Sequence, residues 1–164
     1  MYVSFDQLPP TARLWVYQAN RALTRADITA IEAAMQPALA GWVAHGQPLL
    51  ASARVVENRF LLVGADEAAA LPSGCSIDAS VQVVQHIGQQ IGVDFMDRSV
   101  TYLANGVVAS LPLAAVKEAF ANGTLTAETP IVNTLIKTNA EYPANWIIPA
   151  GQTWLKRYLK PVAM

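Results

Sequence analysis

The chain's one cysteine, Cys75, stands in Ser73-Gly74-Cys75-Ser76-Ile77-Asp78, a glycine turn running into a helix start. A thiol at a helix N-terminus meets the positive end of the peptide dipoles and free N–H groups, which favour the nucleophilic thiolate. Asp78 in the same turn opposes an anion there, and an inert buried thiol is the competing reading. A catalytic cysteine needs a base within hydrogen-bond reach. His45 is the candidate base if topology brings the two residues to one end; otherwise it caps carbonyls at a helix C-terminus. His86 lies farther along the same helix as Cys75, about 16 Å away. Gly74, Ser76 and Asp78 also form a candidate anion or ligand site, because such a turn presents several backbone donors together. Ordinary capping by Ser76 and Asp78 would satisfy the same donors. Asp66, Glu67 and Asp78 lack any His or Cys spacing, so neither a metal nor another cofactor is expected.

These residues depend on the elements that carry them. Arg13 to Gln18 reads as a strand. Thr24, with Asp27 three residues on, opens a helix whose apolar stripe is Ile28, Ile31, Met35, Leu39 and Trp42. Pro37 should kink or divide it, and His45-Gly46 reads as its end. Ser52 to Val63 reads as a hairpin around Glu57-Asn58-Arg59. A second helix starts near Ser76, with Ile77, Val81, Val84, Ile87 or Gly88, and Ile91 on its buried side. Gln82, Gln85, His86, Gln89 and Gln90 take the other side. Asn105-Gly106 is a strong hairpin signal between Val100–Leu103 and Val107–Ser110. Pro112 starts a third helix, buried through Leu113, Val116 and Phe120 and stopped at Gly123. The apolar run Ile131 to Ile136, Trp146 to Pro149, and a short helix from Trp154 to Leu159 complete the chain.

The order is that of an α+β protein with antiparallel sheets, and its first six elements fit the split βαβ, ferredoxin-like arrangement with helices on one face. That suggests a ferredoxin-like domain over residues 1–98 and a C-terminal α/β extension over 99–164. In this topology His45, Asp66, Glu67, Ser73, Cys75, Ser76 and Asp78 share one end. Arg21, Arg25, Glu57, Arg59, Asp94 and Arg98 share the other.

Composition narrows the function classes. Of 164 residues 53% are hydrophobic and 14% charged, and mean hydropathy is +0.28. Charge is low against the roughly 25% of an ordinary domain, which suggests apolar surface hidden in a homo-oligomer. No apolar run approaches the roughly 18 residues of a spanning helix, so no transmembrane segment is expected. Eleven basic against 12 acidic residues argue against a nucleic-acid partner. The N-terminus lacks the basic start and apolar core of a secretory signal, and a single cysteine excludes an internal disulfide, so a cytoplasmic location is expected. Trp146, Trp154 and Tyr158 are candidate partner-binding residues, since aromatic side chains are enriched at interfaces; packing on the chain's own core is the alternative.

Two resemblances add to this. Asn105-Gly106, Pro112-Leu113, Gly123-Thr124-Leu125, Thr129-Pro130 and Trp146 to Pro149 follow one another as in the small GYF-like modules of bacteria. Ser110-Leu111-Pro112 replaces the Gly-Pro-aromatic step of those modules, and their Trp-x-x-Gly-Met stretch is missing. The resemblance implies binding of a protein partner through extended, Pro-containing peptides. SFDQLPPTARLWVYQANR, AHGQPL, SGCSID, GVDFMDR and PAGQTWL resemble a family of small Bacteroidota proteins of uncharacterised role. Some members carry a label linking them to ABC-transporter ATPases, but the Gly-x-x-x-x-Gly-Lys-Ser/Thr phosphate loop is not in this sequence. The reading is a non-catalytic protein that binds a partner or small ligand. A thiol-dependent enzyme using Cys75 and a structural subunit of an assembly are the alternatives.

Overall fold

Strand β1 covers Arg13–Gln18, the run marked by its β-branched and aromatic residues. The computed structural model describes residues 1–44, 47–66 and 74–159, with the side chains of 43–44, 47–48, 74–80 and 143 excepted. After β1 the chain turns into helix α1, Arg25–Ala40, through a reciprocal cap. The Asp27 N–H donates to Thr24 Oγ1 at 3.1 Å, and the Thr24 N–H donates to the Asp27 carboxylate at 2.9 Å. Ile31, Met35 and Leu39 form the buried side of α1.

Two expectations for α1 need correction. The helix is not divided at Pro37 but continues to Ala40. One lost N–H on an exposed position near the end is tolerated while the apolar stripe on the other side stays buried. The helix also stops at Gly41, before His45-Gly46. Trp42 therefore lies beyond the helix, buried edge-on against Trp15 with ring centroids 6.2 Å apart. Its three-residue spacing from Leu39 imitates a helical position, but its burial comes from the ring packing.

Val43–Ala44 (β2) pairs with Gln47–Pro48 (β3), and β4 (Ala51–Val56) forms a hairpin with β5 (Phe60–Ala65). Glu57 and Asn58 take left-handed conformations in the turn, with φ of 55° and 51°. Helix α2 follows over Gly74–Ile91. Strand order in this sheet is β1-β5-β4, antiparallel throughout. One face packs Tyr17, Leu61, Val63 and Ala65 against Ile31, Met35 and Leu39 of α1 and Val84 and Ile87 of α2. Burying a large side chain of this kind contributes about 1.5–3 kcal/mol. Gln82, Gln85, His86, Gln89 and Gln90 of α2 are exposed, as their spacing predicts. Gly88 is the place where the chain returns: Val93 N–H donates to the Gly88 carbonyl at 2.8 Å, and a Cβ on Gly88 would run into the Val93 carbonyl.

The chain resolves into two units, one formed by residues 1–97 and 135–143 and the other by 98–134 and 144–164. In the first, the free edge of β1 is not met by a strand from Val100–Leu103. Two short pieces meet it instead. Gln18 N–H donates to the Phe95 carbonyl at 3.1 Å, and Leu14 N–H to the Lys137 carbonyl at 2.9 Å. Asn139 N–H reaches back to Ala12 O at 2.8 Å, and Asn139 Nδ2 donates to the Leu8 and Pro9 carbonyls at 3.0 and 3.3 Å. The outer edge of β4 is met by the N-terminal arm, where Val3 N–H donates to Ala51 O at 3.0 Å.

The second unit begins with β6 (Val100–Ala104) and β7 (Val107–Leu111). Asn105 and Gly106 between them have φ of 53° and 80°, the paired positive angles of a two-residue type I′ turn. Helix α3, Leu113–Ala121, starts after Pro112 and ends before Gly123. Strands β8 (Pro130–Val132) and β9 (Ile147–Pro149) complete an antiparallel sheet of order β7-β6-β8-β9. Its core holds Val100, Val116, Ala119, Leu125, Ile131, Ala150 and Leu155. Leu113 is 44% exposed rather than buried, because the inward side of α3 is set by Val116 and Ala119. The run from Ile131 ends as a strand at Val132. The chain is thus α+β with antiparallel sheets, and no helix among the described residues is long and apolar enough to cross a membrane.

Candidate partner-docking surface

The C-terminal turn of the second unit carries a group of aromatic rings. Trp154–Tyr158 is a 3-10 turn begun by Thr153, whose Oγ1 accepts the Leu155 N–H at 3.1 Å and donates to the Ala150 carbonyl at 2.7 Å. Leu155 is fully buried and anchors the turn. With that residue inside, Trp154 is left 36% exposed and Tyr158 half-buried. Tyr158 stacks on Phe120 from the last turn of α3, with centroids 6.1 Å apart and planes at 7°. Trp154 meets Tyr158 edge-on, also at 6.1 Å, and the Arg157 guanidinium lies 5.9 Å from the Tyr158 ring centre. Beside these rings runs a cleft of about 370 Å³ lined by Lys117, Phe120, Leu125, Thr126, Tyr158 and Leu159. One wall is a Thr turn in which Thr126 N–H donates to Thr129 Oγ1 at 2.8 Å. Lys117 and Lys156 have no ion-pair partner among the described residues. The surface is therefore aromatic and apolar, with Lys117 on the cleft and the exposed carboxylates Glu118 and Glu128 on the neighbouring α3 and Thr turn.

Of the three partner-binding candidates, the structure brings Trp154 and Tyr158 together in this group. Trp146 is 5% exposed, in the interior. Phe120, placed on the buried side by its spacing on α3, packs against the core of this unit and also stacks on Tyr158. Its stacking on Tyr158 joins residues far apart in sequence, beyond the reach of any local period.

Gly74 opens α2, Cys75 and Ser76 lie in its first turn and Asp78 just beyond it, so the expectation of Asp78 in the first turn is corrected; the side chains of all three lie outside the described residues. His45 and Glu67 lie outside them as well. Among the described residues no three His, Cys, Asp or Glu side chains gather where they could hold a metal ion.

The opposite end of the first unit gathers Arg21, the hairpin turn and the Asp94 segment, as the connectivity predicts. Arg21 Nη1 donates to Asp27 Oδ2 at 2.7 Å and Nη2 to the Ile91 carbonyl at 2.7 Å. A cation thus sits against the C-terminal carbonyls of α2, where the helix dipole favours it. The Arg21 hydrogen bond, followed by the Thr24 N–H, holds the Asp27 carboxyl well below the usual carboxylate range. Asp94 N–H donates to Asn20 Oδ1 at 3.0 Å, and Leu23 N–H to Asn58 O at 2.6 Å. These groups answer one another, and the end is a structural joint.

The architecture is that of an α+β protein with antiparallel sheets, and its second unit carries an exposed group of aromatic rings beside a cleft. The chain matches no family model, no curated protein and no solved structure.

Proposed function

We propose that this is a non-catalytic interaction protein whose second unit binds a partner protein through an extended, Pro-containing segment laid along the Phe120–Tyr158–Trp154 surface. The observation that carries the reading is the exposed ring group beside an apolar cleft. Aromatic-lined grooves take proline-containing peptides because such peptides are already extended and lose little entropy on docking. The resemblance of the hairpin, helix and Trp146–Pro149 pattern to GYF-like modules supports it. The first unit reads as a ferredoxin-like layer, supported by its first-third-second strand order and its helices on one face. The whole is read as a cytoplasmic protein.

The test is an array of proline-containing dodecapeptides probed with the full chain, followed by titration of the retained peptides. Trp154→Ala and Tyr158→Ala should each weaken binding about 30-fold or more, the loss of a hot spot worth about 2 kcal/mol. Leu113→Ala, exposed on α3, should leave it unchanged. Retention of no peptide, or equal loss in all three variants, defeats the reading.

A further inference from the structure

The sheet edges of this protein are not equally protected. The β1 edge is occupied by the Phe95 and Lys137 segments, and the β4 edge by the N-terminal arm. Strand β9 is three residues long and ends in Pro149, two common ways of blunting an edge. Strand β7 has neither device. Val107-Val108-Ala109-Ser110-Leu111 carries no charge, no proline and no bulge, and its pairing with β6 is unbroken.

The register says which groups are open. In a two-residue hairpin the residues flanking the turn, Ala104 and Val107, form a hydrogen-bonded pair. Positions 107, 109 and 111 therefore bond to β6, and Val108 and Ser110 point their N–H and C=O groups away from it. Among the described residues nothing hydrogen-bonds to those groups. Side chains 107, 109 and 111 share the sheet face of Val100 and Tyr102, the face that packs on α3. At the end of this row Val107 is 67% exposed.

We propose that β7 is a self-association edge: it pairs antiparallel with the β7 of a second copy of this chain, about a two-fold axis through Ala109. In that register Val108 and Ser110 each exchange both backbone hydrogen bonds with the partner's Ser110 and Val108. Ala109 faces the partner's Ala109, and the exposed Val107 meets the partner's Leu111. The strand suits its own copy because a two-fold axis brings like residues together. A charge at 109 would face its twin directly, and like charges across strands destabilise; Ala109 is uncharged, as is every other residue of β7. The apolar row Val107-Ala109-Leu111 continues unchanged through the axis and joins two four-stranded sheets edge to edge. The closure is isologous and stops at two copies. It stands independently of the peptide surface.

Disulfide trapping in a Cys75→Ser chain tests the register. Ala109→Cys should cross-link on mild oxidation, since a non-hydrogen-bonded pair brings Cα atoms to about 4.5 Å, within disulfide range. Val107→Cys should not, because its twin is displaced by four residues, about 13 Å along the strand. Sedimentation of the unmodified chain near 100 µM should give a two-copy mass. Val108→Pro, which removes an outward N–H and leaves the β6 ladder intact, and Val107→Lys, at a position that folding leaves exposed, should each give a one-copy mass with the native circular dichroism spectrum. A one-copy mass for the unmodified chain overturns the proposal, including the case in which the edge takes an extended peptide instead. Dimers surviving in both variants, or equal cross-linking at 107 and 109, overturn it too.

Discussion

Asp27 joins a loop to a helix start through one carboxylate, and its partner Arg21 reaches the end of a second helix. The carboxylate accepts from both Arg21 nitrogens and from the Thr24 N–H. These donors favour the ionised form in the folded state, so its pKa there is depressed below the ordinary value near 3.9. The sign follows directly. A group whose folded pKa is lowered contributes stability that is fully present above its unfolded pKa and is lost as pH falls towards the folded one. Asp27→Asn should therefore lower the thermal midpoint at pH 7. The gap to the unmodified protein should narrow steadily below about pH 4. A gap independent of pH between 7 and 2.5 would assign the effect to geometry instead of charge. Residue identity alone disclosed the Thr24 and Asp27 pairing, because the capping box is a local spacing. It did not disclose Arg21 on the Ile91 carbonyl, which joins residues 70 apart. The same limit separates Trp146 from Trp154: both are tryptophan beside apolar neighbours, and only packing decides which ring is covered.

At the scale of elements, periodicity gave reliable guidance where one face is buried and one wet. Strand β1, the β4–β5 hairpin, the polar side of α2 and the Asn105-Gly106 turn are all recoverable from the order of residues. Boundaries set by tertiary contact are not. Trp42 continues the stripe of α1 on paper, yet Gly41 ends the helix first. The run from Ile131 is apolar enough for a longer strand, yet only Pro130–Val132 pairs. Gly88 is the clearest case of packing over propensity. Alanine is about 1 kcal/mol better than glycine in an ordinary helix. Here its methyl group would meet the Val93 carbonyl backbone, which the Val93 N–H to Gly88 bond holds in place. Overpacking of that kind costs about 1–3 kcal/mol, so Gly88→Ala should lower the urea midpoint, where helix propensity alone would raise it. A raised midpoint would show that the turn after α2 yields easily.

For the whole molecule, the division of the chain is interleaved, because residues 135–143 complete the first unit from within the sequence of the second. A fragment ending at residue 97 lacks the carbonyl that the Leu14 N–H uses and the donors that meet the Pro10, Ala12 and Leu8 carbonyls. The Leu14 amide, in the otherwise well-paired β1, should exchange with solvent at least tenfold faster in that fragment than in the full chain. The Trp15 and Tyr17 amides, which face β5, should change less. Equal protection of Leu14 in both would mean the 135–143 segment adds nothing to β1.

The Asn139 side chain and the Leu8 carbonyl that it reaches are 131 residues apart. During synthesis the N-terminal arm and the edge of β1 must wait for that segment to leave the ribosome, roughly 7–26 s at 5–20 residues per second. Throughout this interval the Leu14 stretch of β1 is open on one side, while the β6–β7 hairpin needs only microseconds to close. The first unit, although it leads the sequence, is therefore completed only after most of the second has been made, and until then the Leu14 stretch of β1 is an edge that a holding chaperone can reach.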